Sequence, residues 1–106
     1  MSELEEYIKS GRKLAWLAYL GLLMIIPAIA QKDNPYTVFH IKQGLVLLFA
    51  SIIDTLFVFI PSIGAVIATA GSFFLLILNI IGIYNALAGK LKPLPVIGGF
   101  ANLFDF

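Results

Sequence analysis

The sequence contains no cysteine and only one histidine among its 106 residues. Without cysteine the chain forms no disulfide, no thiolate nucleophile and no cysteine-based metal site. A single histidine cannot complete a histidine-based metal site. The sequence also has no nucleophile elbow, no phosphate-binding loop and no zinc-protease motif. We therefore predict a protein that is not an enzyme and that holds no cofactor or metal ion.

Charged residues are scarce in this chain. Lys and Arg number 7 against 6 Asp and Glu, so the net charge of +1 gives no electrostatic basis for binding nucleic acid. Charged residues make up 12% and hydrophobic residues 60% of the chain, against about 25% and about 45–50% in ordinary soluble domains. A single water-soluble domain of this length could not cover so much apolar surface. The composition therefore predicts that the main partner is a lipid bilayer.

The longest apolar stretch covers residues 44–89 and holds one charged side chain, Asp54. Pro61 and Ser62 divide this stretch into two halves. At ~1.5 Å per residue, each half is long enough to cross ~30 Å of hydrocarbon as a helix. The stretch therefore predicts two antiparallel membrane-spanning helices joined by a tight turn. Their predicted bounds are about 36–60 and about 63–88.

Residues 14–31 form a third uncharged apolar run, which is short for a membrane span. We predict a first span here, so that the fold is an all-α integral membrane three-helix bundle. Pro27 is expected to kink or end this helix. A second interpretation is that residues 14–30 enter the membrane and return to the same side, which requires cover from neighbouring protein. The run followed by Ala28-Ile29-Ala30 also resembles a signal peptide, but the acid-rich start of the chain favours a retained segment.

Polar or interfacial segments flank the predicted transmembrane domain, which covers residues 14–92. Residues 1–13 form a polar N-terminal segment in which Ser2 and Glu5 have the spacing of a helix capping box. Residues 93–106 are apolar but are interrupted by prolines, so they cannot form a span. We predict that they form an interfacial C-terminal tail folded back on the bundle.

The polar hinge at residues 31–43 predicts an interfacial amphipathic start to the second helix. Asn34 followed by Pro35 is typical of a helix N-cap with proline at the first helical position. The next turns combine aromatic, basic and amide side chains of the kind found at the level of lipid headgroups. The residues of this interfacial motif are Asn34, Pro35, Phe39, His40, Lys42 and Gln43. We expect His40 to be a hydrogen-bonded anchor rather than a metal ligand.

The positions of the basic residues predict an orientation. The hairpin of the second and third spans has basic residues at its open end and none at its turn. Those open-end residues are Lys32, Lys42, Lys90 and Lys92. The positive-inside rule therefore places the hinge and the tail in the cytoplasm of a multi-pass protein of the cell membrane. Three spans put Lys9, Arg12 and Lys13 outside, whereas a returning segment puts all seven basic residues in the cytoplasm.

Small residues predict which helix faces pack, because apolar character alone does not drive helices together in lipid. They follow one face of each of the last two spans. The predicted packing residues are Gly44, Gly64, Ala68, Gly71, Gly82 and Ala86. An antiparallel pairing about the turn then places three pairs of residues at equal depth. These pairs are Asp54 with Thr69, Ser51 with Ser72, and Gly44 with Asn79.

Asp54 lies about seven residues, or ~10 Å, from the closed end of the hairpin. A carboxyl group at that depth costs ~2.5–3.5 kcal/mol on insertion scales and rarely faces lipid. One hypothesis is a neutral acid that donates a hydrogen bond to Thr69 or to a backbone carbonyl. The other is a proton or cation site that requires several copies of the chain. The candidate intramembrane polar residues are Asp54, Ser51, Thr69 and Asn79.

Three motifs resemble a family of small prokaryotic membrane proteins. They are Asp33-Asn34-Pro35 with Phe39-His40-Ile41-Lys42-Gln43, then Ala86-Leu87-Ala88-Gly89-Lys90, then Pro93-Leu94-Pro95-Val96-Ile97-Gly98. The resemblance covers about residues 14–101. That family is similar to the channel-like subunit of the chloroplast inner-envelope protein translocon and to small magnetosome membrane proteins. The resemblance implies a translocon-like or organelle-membrane assembly role, and it supplies no catalytic residues.

Composition, spans and resemblance together predict a function. We expect a non-enzymatic small integral membrane protein that acts as a scaffold or accessory subunit, and the resemblance implies a translocon-like role. Its expected partners are the bilayer and either other membrane proteins or further copies of itself. The alternative is a small oligomeric channel or transporter that moves protons or cations by means of Asp54.

Overall fold

A computed structural model describes residues 3–104, with the side chain of Leu22 left out. All regular elements of the described chain are helices, and it contains no strand. Its main elements are two long antiparallel helices, α3 (Pro35–Leu56) and α4 (Gly64–Leu87). Two shorter helices, α1 (Glu3–Gly11) and α2 (Ile25–Ala30), precede them. We use "open end" for the end of this hairpin where α3 begins and α4 finishes, and "closed end" for the turn at residues 60–63.

Local sequence explains where the two long helices begin and end. The Asn34 side chain accepts hydrogen bonds from the amides of Tyr36, at 2.9 Å, and Thr37, at 3.4 Å, and Pro35 occupies the first helical position. At the closed end, a 3-10 turn at Phe57–Phe59 leads into the turn, where Ser62 takes a φ of 73°. Gly89, with a φ of 79°, provides the left-handed conformation that ends α4.

Two stretches of the described chain have the length and composition of a membrane span, Pro35–Phe59 and Gly64–Leu87. They lie within a few residues of the predicted second and third spans. An all-α architecture with an apolar helical hairpin therefore agrees with the sequence analysis. The third helix of the predicted bundle is not found among these residues.

The segment predicted as a first span is broken into short pieces. Two 3-10 helices, Ala15–Tyr19 and Gly21–Met24, precede α2. Gly21 has a φ of 65°, which only glycine adopts readily, and the chain turns back at this point. Gln31 Nε2 donates to the Ser10 carbonyl at 2.9 Å, so both ends of the segment meet at the open end. Residues 14–30, named here the fold-back segment, therefore follow the second interpretation given above.

The fold-back segment is inserted between α3 and α4. Ala15 and Ala18 are fully buried, and Tyr19 is 4% exposed. A Cβ atom on Gly44 of α3 would overlap the Ala18 carbonyl, and one on Gly82 of α4 would overlap the Tyr19 ring. Glycine at these positions therefore leaves the space that the segment fills. Hydrogen bonds of the 3-10 type join residues along its first limb, which supplies internal partners for its backbone.

The C-terminal tail folds back along α3. Gln43 holds it with two hydrogen bonds: Nε2 donates to the Gly98 carbonyl at 3.1 Å, and Oε1 accepts from the Leu94 amide at 2.9 Å. A 3-10 helix at Gly98–Leu103 then runs beside the hairpin until the Phe104 ring stacks on Phe49, with centroids 5.7 Å apart. The described part of the tail therefore packs along α3.

Candidate functional site

A cleft of about 370 Å³ lies between α3, α4 and the tip of the fold-back segment. Leucines of both helices line part of it, and the remaining wall is polar. The polar side chains in the wall are Ser51, Asp54, Thr55, Ser72 and Asn79, with Tyr19 above them. Three of the four predicted intramembrane polar residues, Ser51, Asp54 and Asn79, therefore share one cavity. The fourth, Thr69, does not line it.

Asp54 connects α3 to α4 through Ser72. The Ser72 hydroxyl donates to Asp54 Oδ2 at 2.9 Å. A Cβ atom on Gly71 would overlap Asp54 Oδ1, so the missing side chain of Gly71 is what lets the carboxyl lie against α4. The predicted partner, Thr69, instead donates to the Ala65 carbonyl of its own helix at 2.8 Å. The pairing of Asp54 with Thr69 is therefore corrected to Asp54 with Ser72, about one helical turn away.

Ser51 and Thr55 satisfy their hydroxyl donors within α3. Ser51 donates to the Leu47 carbonyl at 2.8 Å, and Thr55 donates to the Ser51 carbonyl at 2.9 Å. Back-bonding of this kind needs no partner on another helix. The predicted pairing of Ser51 with Ser72 is therefore replaced, since Ser72 bonds to Asp54. Both hydroxyls remain exposed on the same side of α3 as Asp54.

Asn79 presents an unpaired oxygen at the cleft. Its Oδ1 atom is buried and has no hydrogen-bond partner within the described residues. A buried acceptor without a partner costs ~1–3 kcal/mol. Gly44, its predicted neighbour, lies across the same cleft. The cleft therefore offers a hydrogen-bond acceptor to whatever occupies it.

A second polar cluster lies at the open end and is centred on His40, which is fully buried. His40 Nε2 lies 2.9 Å from the Lys90 carbonyl, and Nδ1 lies 2.6 Å from the Tyr19 hydroxyl. Because a carbonyl only accepts, Nε2 carries the proton and Nδ1 accepts from Tyr19. His40 therefore joins α3 to the fold-back segment and to Lys90, which follows α4. Both ring nitrogens are used in this way, which leaves neither for a metal ion.

Tyr36 completes this cluster. Its hydroxyl donates to the Asn85 carbonyl at 3.2 Å and to the Ala86 carbonyl, so it caps the last turn of α4. The rings of Tyr36 and Phe39 both meet the His40 ring edge to face, with centroids 4.8 Å and 5.2 Å away. These contacts build a packed aromatic centre where the predicted interfacial motif begins.

Asn34 of the motif and Arg12 of the N-terminal region hold that region against the rest of the molecule. Asn34 Nδ2 donates to the Tyr7 carbonyl at 3.0 Å and to the Ser10 hydroxyl at 3.1 Å. Arg12 Nε donates to the Leu87 carbonyl at 2.8 Å, which places a cation at the C-terminal end of α4, where the helix dipole favours it. Lys42 is half-buried on the outer side of α3.

The small residues pack differently from the prediction. Of the four glycines, Gly71 meets α3 directly, at Asp54. Gly44 and Gly82 face the fold-back segment, and Gly64 lies against the Phe57 carbonyl at the closed end. Ala68 and Ala86 are buried, as expected of packing positions. The small residues therefore lie in two interfaces, one between the two long helices and one with the fold-back segment, because that segment separates the helices at the open end.

The sequence analysis did not predict the roles of several site residues. Ser72 is the partner of Asp54, Tyr36 caps the last turn of α4, and Arg12 bonds to the Leu87 carbonyl. Tyr19, in the apolar run at residues 14–31, is buried between the helices. One signal points to the fold-back segment: Ala15, Ala18 and Gly21 are small residues spaced by three. That spacing places them on one edge of a 3-10 helix, which has 3.0 residues per turn.

No group of three His, Cys, Asp or Glu side chains within residues 3–104 could hold a metal ion. The hydrogen bonds of His40 and Gln43 join residues far apart in the sequence and hold the fold-back segment and the tail against α3. The hydrogen bond of Asp54 borders a cavity. The cleft is therefore the polar cavity of the described molecule that has room for another group.

The chain is similar to proteins of magnetosomes. It is 33% identical over 90 residues to the magnetosome protein MamF of Paramagnetospirillum magneticum, covering 85% of this chain and 81% of that protein. It is also 33% identical over 84 residues to MamF of Magnetospirillum gryphiswaldense, covering 79% and 76%. Identity to the magnetosome protein MmsF of Paramagnetospirillum magneticum is 27% over 89 residues, covering 84% and 83%. No family model and no solved structure matches the chain.

Proposed function

Because this chain belongs to the family of the magnetosome protein MamF, we propose that it is a non-enzymatic accessory protein of a magnetosome membrane. It acts by binding other membrane proteins within the bilayer. The relatives and the two long apolar helices support a location in a membrane.

This proposal rests on one edge of the hairpin, named here the polar edge, which is formed by Ser51, Asp54, Thr55 and Ser72. Ser51, Thr55 and Ser72 are exposed and Asp54 is half-buried, and beyond the tip of the fold-back segment no other described part of the chain covers them. A carboxyl group and its hydroxyl partner are poorly solvated by lipid tails. A helix of another protein, or of a second copy, that packs on this edge would cover these groups and offer hydrogen bonds to them. The polar edge is therefore the surface through which the protein binds its partner in the accessory role.

Site-specific cross-linking tests this surface, since the chain has no cysteine of its own. Thr55→Cys places a cross-linker on the polar edge, and Leu56→Cys places one on the adjacent lipid-facing side. We expect a discrete cross-linked product from Thr55→Cys in magnetosome-producing cells, and its loss when Asp54→Leu is added. Equal cross-linking from both positions would show that the polar edge is not the interface.

The basic residues support an orientation with the open end in the cytoplasm. Because the fold-back segment returns to the side where it starts, all seven basic residues lie on that side. A cysteine at Lys92 should then react with impermeant reagents only from the cytoplasm. Reaction from the opposite side alone would invert the orientation.

The cleft supports a second candidate function, transfer of protons or cations along Asp54. The carboxyl group, the Ser72 hydroxyl and the unpaired Asn79 oxygen line one cavity. Purified protein in liposomes should then conduct, and Asp54→Asn should abolish the flux while the fold persists. Absence of wild-type flux would eliminate this candidate and leave the accessory role.

A translocon-like role would need more than one copy of the chain. The cleft has the volume of a small-molecule site, which is ~300–1,000 Å³. A polypeptide path would therefore have to form between several hairpins. The same liposomes, tested for passage of an unfolded peptide, would separate this role from ion transfer.

A further inference from the structure

The hairpin is much thicker at one half than at the other. From Ser51 to Ile60 every residue of the α3 side is exposed except Asp54, which is half-buried. From Ala65 to Phe74 on α4, only Ala68 is buried and Gly71 half-buried. Among the described residues, the closed half therefore consists of the two helices, bordered by the tail at Ile53 and by the tip of the fold-back segment at Asp54, and most of its surface is available to lipid.

The open half contains three additional chain segments. The first limb of the fold-back segment lies between the helices, with Ala15 and Ala18 fully buried. Its returning limb lies on the outside, where Ile25 and Ile29 are 53% and 71% exposed. The tail adds a third segment beside α3, with Phe100 59% exposed. The surfaces that these segments turn outward are apolar, so they lie in the lipid rather than above it.

The added segments reach about half the length of the hairpin. The tip of the fold-back segment lines the cleft together with Leu47 and Leu48. Leu47 is ~18 Å along α3 from Pro35, about half of the ~36 Å from Pro35 to Phe59. The tail descends from Gln43 to Phe49, which are ~9 Å apart along the helix, and shares an apolar groove with Ile53. With the hairpin across a bilayer, the leaflet at the open end would therefore hold five of the described chain segments, and the other leaflet two.

We use "taper" for this difference in thickness between the open half and the closed half. We propose that the taper makes the protein a curvature-selective membrane protein, whose preferred partner is a bilayer that is convex on the side of the open end. A body that displaces more area in one leaflet is accommodated best where that leaflet is expanded. The preference follows from the shape of one copy. It requires neither the polar edge nor any partner protein, so it stands apart from the accessory role.

Membrane tethers pulled outward from giant vesicles of phosphatidylethanolamine and phosphatidylglycerol test this inference. The variant Lys92→Cys provides a single labelling site at the open end. An impermeant maleimide dye added outside labels only molecules whose open end faces outward. For the opposite population, the protein is labelled in detergent with a reducible dye, and an impermeant reductant then bleaches the outer molecules after reconstitution.

We expect the outward population to be enriched in the tether relative to the flat membrane, with an enrichment that grows as the tether narrows. The inward population should be depleted to a comparable degree. Equal densities of the two populations, or enrichment of both, would overturn the proposal. Electrostatic attraction cannot imitate the result, because the lipid composition of tether and vesicle is the same.

Two matched substitutions link the effect to the taper. Phe100→Ala removes an exposed ring from the open half, and Phe59→Ala removes an equal ring, 81% exposed, from the closed half. We expect Phe100→Ala to lower the tether enrichment of the outward population and Phe59→Ala to raise it. A change of the same sign in both variants would mean that total apolar surface, not taper, controls the distribution. Circular dichroism should show that both variants retain their helices.

Discussion

At the open half of the hairpin, buried polar side chains exchange hydrogen bonds among three chain segments, whereas at the closed half the helices meet through small residues and one carboxyl–hydroxyl contact. His40 and Gln43 each bond to segments more than forty positions away in the chain. Asp54 bonds only across the hairpin to Ser72. Burial of polar groups is stabilising only when each finds a partner. The difference teaches that the open half is constructed to hold its segments together, while the closed half leaves a polar edge uncovered.

The comparison predicts that overpacking disrupts the open half most. In Gly44→Leu the new side chain meets the backbone carbonyl of Ala18, which cannot move aside without displacing the fold-back segment. We expect a loss of about 3 kcal/mol in the free energy of unfolding. Thermal unfolding in detergent measures it, and limited proteolysis should cut residues 14–30 in the variant. Unchanged proteolysis would mean that the segment does not depend on Gly44.

Removal of the central imidazole should have the next largest effect. His40→Leu leaves the Tyr19 hydroxyl and the Lys90 carbonyl without their buried partner. We expect a loss of roughly 2–3 kcal/mol in unfolding free energy, because each unsatisfied group costs ~1–3 kcal/mol. Phe39→Leu, which loses only a ring contact with His40, serves as the control. Equal losses in the two variants would argue against the hydrogen-bonded role of His40.

A larger residue at the closed half should cost less than the same change at the open half. Gly71→Leu meets the flexible Asp54 carboxyl rather than backbone, so the side chain can rotate away at the expense of the Ser72 bond. We expect a loss of about 1 kcal/mol. Detergent unfolding of Gly71→Leu beside Gly44→Leu gives the comparison directly. A greater loss for Gly71→Leu would reverse the order of the two halves.

The smallest expected effect is that of Asp54→Asn. The amide oxygen can still accept from Ser72, so the contact across the hairpin survives. We expect a change within about 0.5 kcal/mol in unfolding free energy. The same variant serves the flux experiment, because a stable fold makes any loss of conduction attributable to the carboxyl group.

The hairpin could be predicted from the sequence because its signals are local. Asn34 and Pro35 start α3, Pro61 breaks the apolar stretch, and Gly89 ends α4. The Asp54 partner could not be predicted so well. It depends on the relative shift of the two helices, and the carboxyl group lies where Gly71 has no side chain, about one turn from the predicted partner. Spacing from an assumed turn centre does not contain this information.

The fold-back segment shows a different limit of sequence analysis. Residues 14–30 have the hydropathy of a short span, so composition alone favours a helix. What decides against it is long-range: Gly44 and Gly82, far along the chain, provide the space into which Ala18 and Tyr19 fit. Local propensity therefore loses to tertiary packing here. The same long-range dependence hid the partners of His40, for which the sequence predicted only a hydrogen-bonded anchor.

The turn at residues 60–63 contains no charged side chain. When the hairpin enters a bilayer from the side of its open end, this turn is the part that has to cross first. No lysine or arginine accompanies it, so the penalty of ~2.5–3.5 kcal/mol for each such residue is absent. Asp54 is the one ionisable carboxyl that follows the turn into the hydrocarbon. The closed end is therefore suited to insertion of both helices together, as a single step in the biogenesis of the protein.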